Sequence, residues 1–458
     1  MERPNRGRSN LMQAMGIATA AVFSLLWAYS SPAGVLLLGL LVLSYFNYSV
    51  GGRDVLYPAF TFTAIWATVI IVYLFCPIEV RPIGWKTISI LLGGTTSFSV
   101  GSLIGNRPFV RRAYGDTKKT KVECDNNPQA RLLLLAYTIL AVPLVALDTQ
   151  RLVGEHISFS PRFFIALRNT MNYIIIVEGK RPYSSRLIST SFMIAGLTFF
   201  VFIMEEKRKW VNVLFASCLI LLSLLNTGRA FLMQELCGWF CLALLRRKDR
   251  SFVTIVRWSS VPILGVIILM AALTFLTKSE TQGENGLQVA SDMTFEYMVG
   301  PIAAFDYAVY HPEQFREQPA AVFAEVLERL STLRLIHYTP PDNVGVHVDV
   351  PFGTNVYTCF MPYYEDFGAA GCFLFFTLFG LVEGYVFYAA ARGNNIAAFV
   401  LAYLSYSLMF SVFADSYHFV MGYLYLFAYI VVYFYFLKRI RISGSVIRIR
   451  ISQPPATE

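Results

Sequence analysis

Apolar residues gather along the chain into runs of about 17 to 25, the length a helix needs to cross the hydrocarbon of a bilayer. Twelve such runs are predicted as spanning helices. They are Leu11–Tyr29, Gly34–Tyr48, Leu56–Phe75, Thr87–Ile104, Leu132–Leu147 and Leu187–Met204, then Val211–Leu225, Ala230–Leu245, Ser259–Thr277, Ala369–Ala391, Ile396–Phe413 and Phe419–Leu437. The runs at 34–48 and 211–225 are short for a span. Most polar connections are brief, but 150–186 and 278–368 are long and free of linker-like composition. Within the longer one, Val322, Val326 and Leu330 recur at helical spacing after Pro319, with Leu327 beside them. Asp292 is placed to cap a helix carrying Phe295, Met298 and Ile302. The predicted fold class is an all-α polytopic membrane protein. A single transmembrane domain over 1–458 carries a large, partly helical loop at 278–368 and a smaller one at 150–186. No internal repeat is visible, which disfavours inverted-repeat transporter plans.

Charge supplies the orientation. With the N-terminus inside and alternating spans, the cytoplasmic connections collect Arg3, Arg6, Arg8 and Arg53, the cluster from Arg107 to Arg131, and Lys207 to Lys209. They also collect Arg246 to Arg257, Arg392, and Lys438 to Arg450. Together these are most of the 38 Lys and Arg residues. Basic residues concentrate in short cytoplasmic loops of membrane proteins, so this arrangement is self-consistent. Both termini then lie in the cytoplasm and both long segments lie on the external side. The formal net charge of +9 is explained by span orientation, and nucleic acid is not an expected partner. Composition agrees: 15% of residues are charged, against about 25% in soluble domains. The short basic start reads as a retained first span, not a cleaved leader. Seven cysteines, mostly within apolar runs, imply no disulfide framework. Cys237 and Cys241, one turn apart, read as packing.

Candidate chemistry collects on the external side. All five histidines (His156, His311, His337, His347, His418) fall there, without metal-ligand spacing. Glu235 and Glu383 are carboxylates inside predicted spans, where they face the bundle interior or a neighbouring helix. Gly380 and Gly384 around Glu383, like Gly101 and Gly105, have the spacing of close helix contacts. Arg229 follows Asn226-Thr227-Gly228 at an outer boundary, placed either to hold a phosphate bidentately or to snorkel toward headgroups. The stretch Pro351–Gly368 joins Asn355, Tyr357, Tyr363, Tyr364, Glu365 and Asp366. Aromatic faces beside amides and carboxylates suit sugar binding, and an interfacial aromatic belt accounts for the tyrosines alone.

The patches Asn355-Val-Tyr-Thr-x-Phe and Tyr363-Tyr364-x-Asp366-Phe-Gly resemble Wzy-type O-antigen polymerases. So do Asn226-Thr-Gly-Arg229-Ala and Gly300-Pro-Ile-Ala-Ala-Phe305-Asp306, along with the many spans and the late external loop. Met361 departs from the pattern, standing where such sequences often carry a basic residue. The resemblance implies a metal-independent, cofactor-free glycosyltransferase of the GT-C kind. Such an enzyme moves a growing glycan from undecaprenyl pyrophosphate onto the sugar of an incoming lipid-linked repeat unit, with a chain-length regulator as a further partner. An O-antigen ligase and a lipid-linked oligosaccharide flippase are the alternatives.

Chemical need assigns the roles. Cleaving a sugar–pyrophosphate bond builds charge on the diphosphate, which cations stabilise. Arg229 and Arg168 lead for that task, with Arg329 and Arg334, and then Arg162 and Arg181, behind them. The acceptor hydroxyl needs a base, for which the candidates are Asp366, Glu365, His347 and His337. Asp366 is equally suited to capping the start of the tenth span. Asn355, Tyr357, Tyr363 and Tyr364 are the sugar-contacting candidates.

Overall fold

The computed structural model describes residues 31–76, 80–106, 128–153, 167, 170, 173, 209–225, 229–247, 249–256, 286–315, 321–332, 334–338, 346–350, 353–414, 440–443 and 446–449. Eight of the predicted spans fall within them and all eight are helices. They are α1 (Pro32–Val50), α2 (Pro58–Leu74), α3 (Trp85–Asn106), α4 (Pro128–Val153), α5 (Lys209–Leu225), α6 (Arg229–Leu245), α9 (Met361–Ala391) and α10 (Asn395–Met409). The predicted spans at 11–29, 187–204, 259–277 and 419–437 lie outside the described residues, as does most of the 150–186 segment. By length and apolarity α1, α3 and α9 are each able to cross a membrane.

Local sequence explains the starts. Proline occupies the first turn of α1, α2 and α9, where its missing N–H costs nothing. Asn394 caps α10 by accepting a hydrogen bond from Ala397 N at 3.0 Å. The strictly all-α expectation needs one amendment, since two short antiparallel hairpins are present. One pairs β1 (Val348–Asp349) with β2 (Gly353–Thr354), the other β3 (Ile440–Ser443) with β4 (Val446–Ile449).

The centre of the bundle is aromatic. Phe62 stacks on Phe98 at 4.4 Å between ring centroids and Phe360 on Phe376 at 4.2 Å, with Trp66 and Phe305 closing around them. Beside this core lies a buried polar layer: Asn47 Nδ2 donates to Ser99 Oγ at 2.9 Å and to Ala59 O at 3.3 Å, tying α1, α2 and α3 together. The outward faces are the reverse, with Val42, Phe46, Leu140, Leu144, Val213, Leu374 and Leu378 all exposed. An aromatic core with its polar groups paired inside, and large apolar side chains facing out, is the arrangement of a helical protein solvated by lipid.

Helices α3 and α9 form the tightest seam. A Cβ on Gly101 or Gly105 would strike the backbone of Thr377 or Leu381, and one on Gly380 or Gly384 would strike that of Phe98 or Ser102. Both glycine pairs singled out in the sequence thus meet each other, each letting the opposite backbone approach. Residue numbers rise together along the two helices, so they run parallel. Strict alternation of spans requires this of the fourth and tenth.

The 278–368 segment is not a detached cap. Its first part is a 25-residue helix, α7 (Gly286–Tyr310), in which Val299, Ile302, Ala304, Phe305 and Val309 are fully buried in the common core. The expected Asp292 cap is corrected accordingly, because the helix begins six residues earlier and Asp292 is interior to it. A short helix, α8 (Ala324–Thr332), follows, preceded by the 3-10 turn Ala321–Phe323.

The contacts define two ends. At one, Val55 N donates to Arg250 O and Arg250 pairs with Asp54 at 2.8 Å. Arg53, Arg246 and Arg247 lie in the same chain segments. At the other, α3 starts beside the last turn of α7, and Cys359 N donates to Ser411 O. Helix α6 runs for 17 residues, about 25 Å at 1.5 Å per residue. Its C-terminus leads into Arg250, so Arg229 stands at the far end from the Arg250–Asp54 pair.

Candidate functional site

The polar–aromatic stretch before α9 is built as a sequence of pinned turns. The β1–β2 hairpin pairs Val348 with Thr354 and Asp349 with Gly353. A Cβ at position 353 would meet the His347 imidazole, so the exposed ring packs over Gly353 and would have to turn aside for a larger residue. Thr354 Oγ1 accepts from Val356 N at 3.1 Å, and the Tyr357 hydroxyl donates to Val346 O at 2.6 Å. The Tyr357 ring meets Phe315 edge-on at 5.7 Å. Burial pushes the Tyr357 phenol above its ordinary range, and the nearby Glu365 and Tyr307 add to the shift. Its hydroxyl is therefore a stable donor near neutral pH.

Tyr364 sits where three segments converge. Its ring meets Phe305 edge-on at 5.8 Å, and its hydroxyl donates to Val309 O at 3.4 Å. The Lys86 ammonium lies 5.7 Å from the ring centroid and donates to the same Val309 carbonyl at 3.0 Å. Lys86 N donates to the Tyr310 hydroxyl at 3.3 Å. Beneath them Asp306, 4% exposed, accepts from Gly84 N at 2.8 Å and Thr87 Oγ1 at 2.6 Å. That carboxylate caps α3 from another helix, which suits the positive end of the helix dipole. His311 stacks on Tyr307 at 4.1 Å, with Nδ1 2.9 Å from Tyr307 O.

The candidate residues sort unevenly. Asp366 is a cap, but not of its own helix: its two oxygens accept from Ala321 N at 3.0 Å and Val322 N at 2.9 Å, starting the turn that leads into α8. Glu365 is half-buried near Tyr357. Tyr363 is 1% exposed with its ring among Phe375, Phe376 and Phe379, so neither face is open to a sugar. Tyr357 and Tyr364 are half-buried, while Asn355, His347, His337 and Arg334 are exposed. Among the described residues, His337 and Arg334 make no hydrogen bond or ion pair to the Tyr357–Asp366 group. Arg334 has positive φ (59°) at the end of α8. Arg229 opens α6 and Arg329 lies within α8, but their side chains are not among those described, and Arg168, Arg162 and Arg181 lie outside the described residues.

The sequence reading passed over Lys86 and Tyr310. Lys86 stands one residue before the predicted fourth span, the only basic residue between Arg81 and Arg107, and a cation at a helix start is a usable signal. Among the described residues no group of three His, Cys, Asp or Glu side chains gathers as a metal site would require. Glu235 and Glu383 are both buried. Glu383 lies in the glycine seam, and the polar group beside Glu235 is the Trp239 indole one turn on.

Taken as chemistry, this end of the bundle offers aromatic rings, a lysine paired with no carboxylate among the described residues, phenol donors and carboxylates in one neighbourhood. It suits an anionic ligand bearing hydroxyls. No family model, no characterised protein and no solved structure matches the chain.

Proposed function

We propose that the chain polymerises lipid-linked oligosaccharide repeat units at the outer face of a bacterial inner membrane. It would transfer the growing glycan from undecaprenyl pyrophosphate to the sugar of an incoming lipid-linked unit. One observation carries this reading. The two patches of Wzy-type resemblance at 300–306 and 355–368, far apart in sequence, fold against each other through Phe305, Phe360 and Tyr364. The charge distribution supports the same orientation: Arg53, Arg246, Arg247, Arg250 and Arg392 belong to the opposite end.

In this reading the sugar-contacting set narrows to Asn355, Tyr357 and Tyr364, because Tyr363 is a packing residue. Arg229, with Arg168, Arg329 and Arg334, stabilises the diphosphate leaving group. The base that accepts the acceptor hydroxyl's proton comes from Glu365, His347 or His337. Asp366, with both oxygens on backbone amides, serves mainly to hold the 321–332 segment.

The decisive test is at Arg229. Replacing it with Lys keeps the charge but loses the planar two-pronged donor. Loss of one such transition-state contact costs about 100-fold in rate. Arg229→Lys and Arg229→Ala cells, with membrane levels of the protein matched to the parent, are expected to accumulate single repeat units outside the membrane. Parental polymer lengths in Arg229→Ala membranes would end the proposal, and single units trapped inside would favour a flippase.

A further inference from the structure

We propose that the 321–336 segment is a membrane-interface surface, seated in the outer leaflet of the bilayer beside α9. The inference rests on the reading of this end of the bundle as external. It concerns residues that the sequence pattern assigns to a polar loop.

The segment presents large apolar side chains outward. Phe323 is 41% exposed, Leu335 68% and Ile336 39%. A cap standing in water would turn such groups inward, toward the core that Val322 enters at 3% exposure. Their outward position follows from how the segment is pinned. Asp366 holds the amides of Ala321 and Val322. That hold sets Phe323 against Phe367 and Phe375, each at 6.4 Å between centroids. Phe367 is itself 47% exposed, and below it on α9 run the exposed Leu374, Leu378, Leu381, Val382 and Tyr385. The apolar surface around Phe323 therefore continues directly onto the face of α9 that lipid covers. This continuity selects lipid as the occupant over a soluble partner, since a protein docking on Phe323 would have to displace acyl chains from α9.

The far end of the segment is shaped for the same boundary. In sequence, α8 carries Val326, Leu327 and Leu330 at one set of helical positions and Glu325, Glu328 and Arg329 at the other. The helix closes in a left-handed turn in which Arg334 N donates to Ser331 O and Leu335 N to Leu330 O. Ser331 Oγ bonds both the carbonyl and the amide of Tyr338, locking the turn. Locked this way, it displays exposed Leu335 and Ile336 next to an exposed guanidinium. Two apolar side chains beside a cation match acyl chains beneath a phosphate headgroup.

The test uses the full chain reconstituted in phosphatidylcholine–phosphatidylglycerol vesicles, with and without brominated acyl chains. Tryptophan emission of each variant is compared with that of the parent. Leu335→Trp and Ile336→Trp are expected to emit to the blue and to lose most of their added intensity with brominated lipid. They should behave like Leu374→Trp on α9 and unlike Asn355→Trp. If both loop variants emit like tryptophan in water and are quenched by iodide but not by bromolipid, while Leu374→Trp still responds to bromolipid, the proposal is overturned. If Leu374→Trp also fails to respond, the membrane reading itself falls. No glycan enters the measurement, so the polymerase assignment stands or falls separately.

Discussion

The two ends of the bundle are tied by different chemistry. At the cation-rich end the link is charge to charge: Arg250 meets Asp54 at 2.8 Å, with both side chains less than a tenth exposed. At the opposite end the carboxylates take neutral donors at segment starts: Asp306 accepts from Gly84 N and the Thr87 hydroxyl, and Asp366 from Ala321 N and Val322 N. A buried ion pair is brittle, because removing one partner strands the other in a low-dielectric interior. A carboxylate on helix amides uses donors the helix leaves unpaired in any case, and asks for no counter-charge. Lys86, bonded to the Val309 carbonyl, and the exposed Arg334 therefore form no ion pair with Asp306 or Asp366. The first end is locked by a charge pair, and the second leaves Arg334, His337 and His347 exposed.

This contrast is sharpest at Asp54. Asp54→Ala is expected to cost about 3–5 kcal/mol, the usual result of orphaning a buried charge. It should show as a large drop in the thermal midpoint of the detergent-solubilised protein, and Asp54→Ala with Arg250→Met should recover part of the loss. An unchanged midpoint in the single variant would mean that the pair is not the tie. At the other end, Asp366→Ala is expected to cost about 0.5–2 kcal/mol, as the loss of a helix cap does. If the proposed polymerase reading holds, glycan transfer should fall far less than in Arg229→Ala. A collapse of polymer with no change in midpoint would return Asp366 to the list of bases.

The smallest effect is expected at Asp249, near the locked end but exposed. The Thr254 hydroxyl first, and then the Ser251 amide, hold its carboxyl below the usual range. A lowered folded-state value stabilises above the unfolded carboxylate value near 3.9. The contribution is present at pH 7 and fades as pH falls below about 4, through the still lower folded value. Asp249→Asn should shift stability at pH 7 by less than about 1 kcal/mol, with the difference from the parent vanishing in acid. A shift as large as that of Asp54→Ala would erase the distinction between exposed and buried charge drawn here.

Much of the fold was legible because lipid simplifies the code. Eight of the predicted spans are helices with ends within a few residues of expectation, except that α4, α9 and α10 differ more at one or both ends. The parallel run of α3 and α9 is consistent with alternating spans, and both glycine pairs, each read only as a close helix contact, lie in the seam between them. Helix α7 was read as part of a long polar loop because Asp306, Glu296 and the polar residues around 282–292 dilute its apolar run. Its burial depends on Asp306 finding the start of α3, some 220 residues away in sequence, which no local pattern announces. Tyr363 and Tyr364 look identical in sequence, yet one is core and the other faces Lys86, since a helix start fixes which neighbour turns inward. Asp366 was weighed equally as a base and as a cap for its own span, and the amides it accepts from belong to another segment. A carboxylate announces that it will accept amides and not whose.

Gly368 has a consequence for how such a molecule diversifies. Its φ of 63° and ψ of −157° fall in a region that only glycine occupies comfortably, although a Cβ there would meet open space. The obstacle to replacing it is backbone conformation, so the corner it makes is fixed while its surroundings are not. Above the corner lie Tyr364, Glu365 and Asp366; below it lies the close-packed pairing of two spans. A change of side chains in the upper turn can then be made without disturbing the register of the lower one. The joint acts as a partition between what must stay constant and what is free to vary.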